Sequence, residues 1–248
     1  MTEVRTQEPI QAITFDLDFT LWDLEGVIHR AEALQYDYLA RHYPDVAQRY
    51  SAEAFQNLRF QLFEEREDLR YNVTELRKEA LRRVAAECGY ESSLVDQAFQ
   101  VFLDARHEVK LYEDTHPLLE RLHGRYVLGV ITNGNADVGR MGLGDYFDFA
   151  LSPMDVGAAK PDRLIFEAAC NQAGFEPVEI AHIGDDPEAD VVGAAGYGML
   201  PVWLNRTGIA WPDSLTRPPC IELASLAKLE SVLQSPEVAK PSSDDAPA

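Results

Sequence analysis

The strongest constraint on this chain is the way strand-length and helix-length segments alternate after residue 112. Residues 126–131 form a continuous apolar run, the pattern of a parallel strand buried on both faces. Residues 147–151, 180–183 and 200–204 read as further strands. Between and after them, 113–123, 162–173, 188–195 and 224–233 read as helices, the first with Pro117 in its opening turn and the second closed by Gly174. Short connections between alternating strands and helices predict an α/β fold, a doubly wound, Rossmann-like parallel sheet with right-handed crossovers.

A first strand is predicted over residues 10–16, ahead of that alternation. Between it and the rest lies a long segment with scarce glycine and apolar residues at helical spacing. Its predicted inner faces carry Val27, Ala31 and Leu39, then Phe55, Leu58 and Leu62, then Leu76, Ala80 and Val84, then Val95, Phe99 and Phe102. Asn72 with Glu75 reads as a capping box for the third helix, and Ser92 or Ser93 as the cap of the fourth. The expected organisation is a core of residues 10–22 and 112–235, an all-helical insert over 23–111, and a disordered tail over 236–248.

Ligands of doubly wound sheets sit at the carboxyl ends of the strands. The first strand runs into Asp16 and Asp18, which alternation can bring to one side of an extended chain. Two converging carboxylates fit a hard divalent metal or an acid/base pair, and equally a loop of two solvated acids. The second strand ends in Thr132-Asn133-Gly134-Asn135, Lys160-Pro161 follows the third, and Gly184-Asp185-Asp186 ends the fourth, with Asp190 beyond. Taken alone, Lys160 is a solvated loop residue, and Asp186 and Asp190 are acids favoured by a helix N-terminus. Together on one sheet edge, these four clusters predict a common pocket.

The chain has 248 residues and a net charge of −20, which argues against nucleic-acid and anionic-membrane partners. An anionic substrate would therefore need positive charge supplied locally. Cys88, Cys170 and Cys220 lack disulfide or zinc spacing, the N-terminal residues lack a signal-peptide pattern, and no apolar stretch is long enough to cross a bilayer. The expectation is a soluble, cytoplasmic protein; nothing specifies its oligomeric state.

In order, Asp-x-Asp-x-Thr (Asp16, Asp18, Thr20), Thr132-Asn133-Gly134, Lys160-Pro161 and Gly184-Asp185-Asp186-x-x-x-Asp190 resemble the motifs of the haloacid dehalogenase-like hydrolase superfamily, and the helical insert resembles the cap of its first subclass. Residues 131–136, 142–147 and 182–186 resemble, more narrowly, bacterial phosphatases of flavin mononucleotide and 5-amino-6-(5-phospho-D-ribitylamino)uracil. The resemblance implies a phosphatase acting on a small phosphate ester, with Asp16 as nucleophile and Asp18 as general acid and base. It implies Mg²⁺ on the Asp16 side chain, the Asp18 backbone carbonyl and the Asp185 side chain, with Asp186 and Asp190 behind them. The Thr132 hydroxyl, the Asn133 backbone N–H and the Lys160 charge would grip the phosphate.

Thr20 is expected to hydrogen-bond within its loop. Phe19 departs from the small or acidic residue usual there and is expected against the cap or at its entrance. Tyr36, Phe60 and Tyr71 are cap aromatics able to stack on a flat ring, whereas the six histidines and Trp22, Trp203 and Trp211 read as packing residues. The cap is expected to move about hinges at 22–26 and 111–114. The competing readings are a haloacid dehalogenase, a family resembling this chain but lacking the second aspartate of the pair, and a non-catalytic binding protein on the same scaffold. A phosphomutase would share these core residues.

Overall fold

A computed structural model of the chain describes residues 9–234; the expected tail at 236–248 lies outside them. Strand β1 (Ala12–Phe15) leads through a short β2 (Trp22–Asp23) into five helices: α1 (Val27–His42), α2 (Pro44–Arg49), α3 (Ala52–Glu65), α4 (Val73–Cys88) and α5 (Ser93–Arg106). The chain returns by β3 (Lys110–Leu111) to α6 (Thr115–Leu122), β4 (Val127–Ile131), β5 (Phe149–Leu151), the single turn α7 (Pro153–Val156) and α8 (Arg163–Ala173). Then follow β6 (Ile180–Gly184), a π-helical turn over Pro187–Val192, α9 (Gly193–Tyr197), β7 (Leu200–Leu204), β8 (Ile221–Leu223) and α10 (Leu229–Leu233).

Six strands form one parallel sheet in the order β5-β4-β1-β6-β7-β8. The chain builds outward from β1 on one side, then crosses to the other, as the alternation of segments predicts. Strand periodicity divides the core: Ile13 and Phe15 pack with Leu118, Leu119 and Leu122 of α6, whereas Ala12 packs with Ile165, Phe166 and Ala169 of α8. Helices α1–α5 close around a separate apolar centre that includes Leu39, Leu62, Leu81, Leu94 and Phe102.

Several elements differ from the sequence reading. The cap has five helices where four faces were legible, because Pro44 disfavours helical geometry at Tyr43 and restarts the helix. Asn72 caps α4 by accepting from the Glu75 amide at 2.9 Å, but Ser92 makes no side-chain cap bond to α5. The last predicted helix, 224–233, contains only a 3₁₀ turn (Leu226–Lys228) and the short α10. Ahead of it, Ile221 and Leu223 point in and Glu222 points out, giving a sixth strand against β7. The two connectors between sheet and cap pair as an antiparallel ribbon, Trp22 opposite Leu111 and Asp23 opposite Lys110.

Candidate active site

Strand order explains why distant residues meet. β1 lies between β4 and β6, with Phe15 level with Val130 on one side and Ile183 on the other. The next residues along these three strands lead to Asp16, Thr132 and Asp185 at one edge of the sheet. Asp16 is buried, and its amide donates to Ile183 O at 2.8 Å. Oxygens of Asp16, Asp185 and Asp190 lie within 4.8 Å of one another.

Lys160, 4% exposed, is the cation of this cluster. Its ammonium donates to Asp16 Oδ1 at 2.6 Å, Asp190 Oδ1 at 2.7 Å and Ile131 O at 2.6 Å. Burial alone would lower its pKa, but the two carboxylates hold it above the ordinary value. All three of its N–H groups are thereby committed to protein acceptors. The Lys160 loop is set by the Asn133 side chain, which accepts from Lys160 N at 2.7 Å and donates to Lys160 O at 2.8 Å.

Asp190 is fully engaged. Oδ1 also meets His182 Nε2 at 3.0 Å, and Oδ2 accepts from Asp186 N at 3.0 Å. Burial opposes its ionisation, but Lys160 and His182 hold its pKa well below the carboxylate range. Burial keeps the His182 pKa low, so the neutral ring donates through Nε2 and accepts from Thr14 Oγ1 at 2.9 Å. The histidine thus orients Asp190 as well as packing against Phe166. The π-helical turn carries Asp190 back over Gly184, where an added Cβ would stand 2.1 Å from its carboxylate.

Asp186 plays a different part. Its Oδ1 accepts from the amides of Glu188 and Ala189, both at 2.8 Å, and caps the π-helical turn. Among the described residues, no other side chain is hydrogen-bonded to the Asp185 carboxylate; the one hydrogen bond that lowers its pKa comes from its own backbone. Burial, reinforced by Asp190 and Asp186, pushes its pKa up to about 7. Burial likewise raises that of Asp16 well above its ordinary value, against the pull of Lys160. Two crowded carboxylates, each with an oxygen not engaged by a protein donor, fit a hard divalent cation. Asp190 has no such oxygen: Lys160 and His182 meet Oδ1, and Asp186 N donates to Oδ2.

Asp18 stands apart from this cluster. Its Oδ1 accepts from the Trp22 indole N–H at 2.7 Å, and Arg106 Nη2 reaches Oδ1 at 2.9 Å and Oδ2 at 2.7 Å. Trp203 similarly donates to Asp185 O at 2.9 Å, so two tryptophans read as packing residues also hold the acidic loops. Thr132 is buried, with its hydroxyl oxygen accepting from Gly134 N at 3.0 Å and its hydrogen left to donate. Thr20 hydrogen-bonds within its loop through its backbone, N–H to Leu17 O at 3.2 Å, whereas its hydroxyl is buried without a hydrogen-bond partner. Phe19 has φ 60° and is 42% exposed, a left-handed backbone that glycine adopts more readily than a residue with a side chain.

Arg106 is the contributor that motif reading misses. It closes α5, 88 residues from Asp18, and a basic residue in a helix's last turn is ordinary. Its neighbours dock the same end of the cap on the core. His107 accepts from Asp137 N at 2.9 Å, Asp104 pairs with Arg140 at 2.9 Å, and Asn135 donates to Thr74 Oγ1 at 3.2 Å. Within the cap, Ile28, Phe60, Phe63, Val73 and Arg77 help line a cavity of about 490 Å³. Of the other cap aromatics, Tyr36 donates to Tyr50 O at 2.6 Å inside the helical core.

A doubly wound sheet carrying aspartates at its central strand ends and a helical insert after β1 defines a hydrolase scaffold. The haloacid dehalogenase-like hydrolase family matches residues 10–198, and the chain belongs to that family. It is 32% identical over 232 residues to the 5-amino-6-(5-phospho-D-ribitylamino)uracil phosphatase YigB of Escherichia coli, covering 90% of this chain and 96% of that one. It is 28% identical over 233 residues to an (S)-2-haloacid dehalogenase of Pseudomonas putida, covering 90% and 96%. The crystal structure of a 2-haloacid dehalogenase from Pseudomonas syringae pv. Tomato DC3000 superposes with a TM-score of 0.83 at 40% identity, over 90% of this chain and 98% of that one.

Proposed function

We propose that the protein is a Mg²⁺-dependent phosphatase of a small phosphate monoester, working through an aspartyl-phosphate. The observation that carries this reading is the separation of two acidic roles. Asp16 is buried against Lys160, while Asp18, two residues on, is held outside that cluster by Trp22 and Arg106. Lys160 orients the Asp16 carboxylate by donating an N–H to its Oδ1. An Asp16 oxygen bonds to phosphorus as the ester P–O bond breaks, and Asp18 gives the leaving oxygen a proton. Water then attacks the phosphoryl group, Asp18 takes its proton, and Asp16 is released as carboxylate. The Thr132 hydroxyl and the Asn133 backbone N–H are assigned to the phosphoryl oxygens. Mg²⁺ held by the Asp16 side chain, the Asp18 backbone carbonyl and Asp185 would offset charge on nucleophile and phosphoryl group.

The cap cavity is lined by Phe60, Phe63 and Arg77 but by none of Asp16, Asp18, Thr132, Lys160 or Asp185, so it does not define the leaving group. The name of the E. coli relative includes a uracil ring, and flavin mononucleotide belongs in the same panel of trial substrates. Three unpaired cysteines support a reducing, cytoplasmic setting, and among the described residues no helix is long and apolar enough to cross a membrane.

A second reading, 2-haloacid dehalogenase, is favoured by the likeness to the Pseudomonas syringae structure. Asp18 weighs against it, because displacing halide from carbon needs no acid for a leaving oxygen. Phosphate release from p-nitrophenyl phosphate and chloride release from 2-chloropropionate, each with and without Mg²⁺, separate the two. Mg²⁺-dependent phosphate release with no chloride is expected; chloride release alone would replace the phosphatase with the dehalogenase.

A further inference from the structure

The acidic site needs a cation able to donate to an incoming anion, and Lys160 has no N–H left to give. Arg106 does. Its Nε donates to Asn135 Oδ1 at 3.0 Å and its Nη2 is spent on Asp18. Nη1 is buried without a hydrogen-bond partner, although the side chain is only 1% exposed. A desolvated guanidinium nitrogen left unpaired is costly, which marks a position awaiting an acceptor. The nitrogen bonded to Asp18 faces Gly134: a Cβ built there would lie 3.2 Å from Arg106 Nη2, 2.9 Å from Asp18 Oδ2 and 3.4 Å from Thr132 Oγ1. Guanidinium, proposed acid and proposed phosphate-gripping hydroxyl therefore surround one residue that has no side chain.

We infer that Arg106 is a further catalytic residue: carried by the cap, it exchanges its bond to Asp18 for one to the phosphoryl oxygens when substrate enters, and so frees Asp18 for proton transfer. This rests on the phosphatase reading. The planar fork of arginine matches a phosphate dianion with two parallel N–H bonds, and a dianion outcompetes a single carboxylate for it. The pairing described here is then the resting state, with both Asp18 oxygens occupied. Because Arg106 belongs to α5 and Asp18 to the core, the exchange also reports substrate arrival across the cap–core boundary.

The test uses the full chain with Mg²⁺ and inorganic phosphate as the probe. Arg106→Met is expected to weaken phosphate binding about 10- to 100-fold, the loss of one charge-assisted hydrogen-bonded pair, and to lower kcat/KM for p-nitrophenyl phosphate by a similar factor. Arg106→Lys, which keeps the charge without the fork, should fall between. Added methylguanidinium should restore part of the turnover of Arg106→Ala, a rescue that a purely structural cap anchor would not show. Unchanged phosphate affinity in both the methionine and lysine variants would overturn the assignment, as would faster turnover in either. A wild-type protein that binds phosphate but turns over no phosphate ester would instead sink the phosphatase reading, with phosphate binding still deciding the role of Arg106.

Discussion

Lys160 is the single residue on which the buried charges depend. It separates Asp16 from Asp190, and both are buried. Lys160→Met keeps most of the side-chain volume but leaves two desolvated carboxylates facing each other. The expected cost is about 3–5 kcal/mol of unfolding free energy, read from urea denaturation, with turnover falling to background. A variant as stable as the wild type would mean that the pairing contributes nothing. Asp16, Asp18, Thr132 and Asp185 are legible in the sequence because each directly follows a strand or sits in a short loop at its end, and Lys160 because it precedes Pro161 in the loop between β5 and α8. Arg106 is not, because its contact with Asp18 exists only after cap and core dock. The two tryptophans are legible as buried, but not as donors.

At the level of elements, alternating polarity and capping residues located most helices and strands, and failed where a segment is short. β8 has three residues, β2 and β3 have two each, and α7 is one turn; none is long enough to establish a period. The π-helical turn after β6 has the sequence pattern of an ordinary helix, because nothing in the sequence shows that Val191 N–H reaches Asp186 O at 3.3 Å. Its consequence is the approach of Asp190 to Gly184. Gly184→Ala would place a methyl group in the Asp190 carboxylate and push it from Lys160. The expected loss is about 1–3 kcal/mol from overpacking, with kcat reduced while the cap helices keep their circular dichroism. Full activity at wild-type stability would show that the turn has room to spare.

Across the whole molecule, crowded acids make stability depend on pH and cation together. Asp185, with its pKa near 7 without a cation, and Asp16, also raised, favour the folded state most when protonated. The Asp185 contribution is complete below the ordinary carboxylate range and is lost as pH rises through about 7, and that of Asp16 is lost as pH rises through its own raised pKa. Mg²⁺ should recover it, so the rise in Tm on adding Mg²⁺ is expected to be larger at about pH 8 than at about pH 5.5; an equal rise at both would contradict the proposed ligands. The central claim, that Asp16 becomes covalently phosphorylated, is tested most directly by acid-quenching a turnover mixture and mapping the phosphoryl group by peptide mass. One phosphoryl group on the peptide containing Asp16, absent from Asp16→Asn, is the expected result. Sustained phosphate release by Asp16→Asn, or a phosphoryl group mapped to another residue, would contradict it.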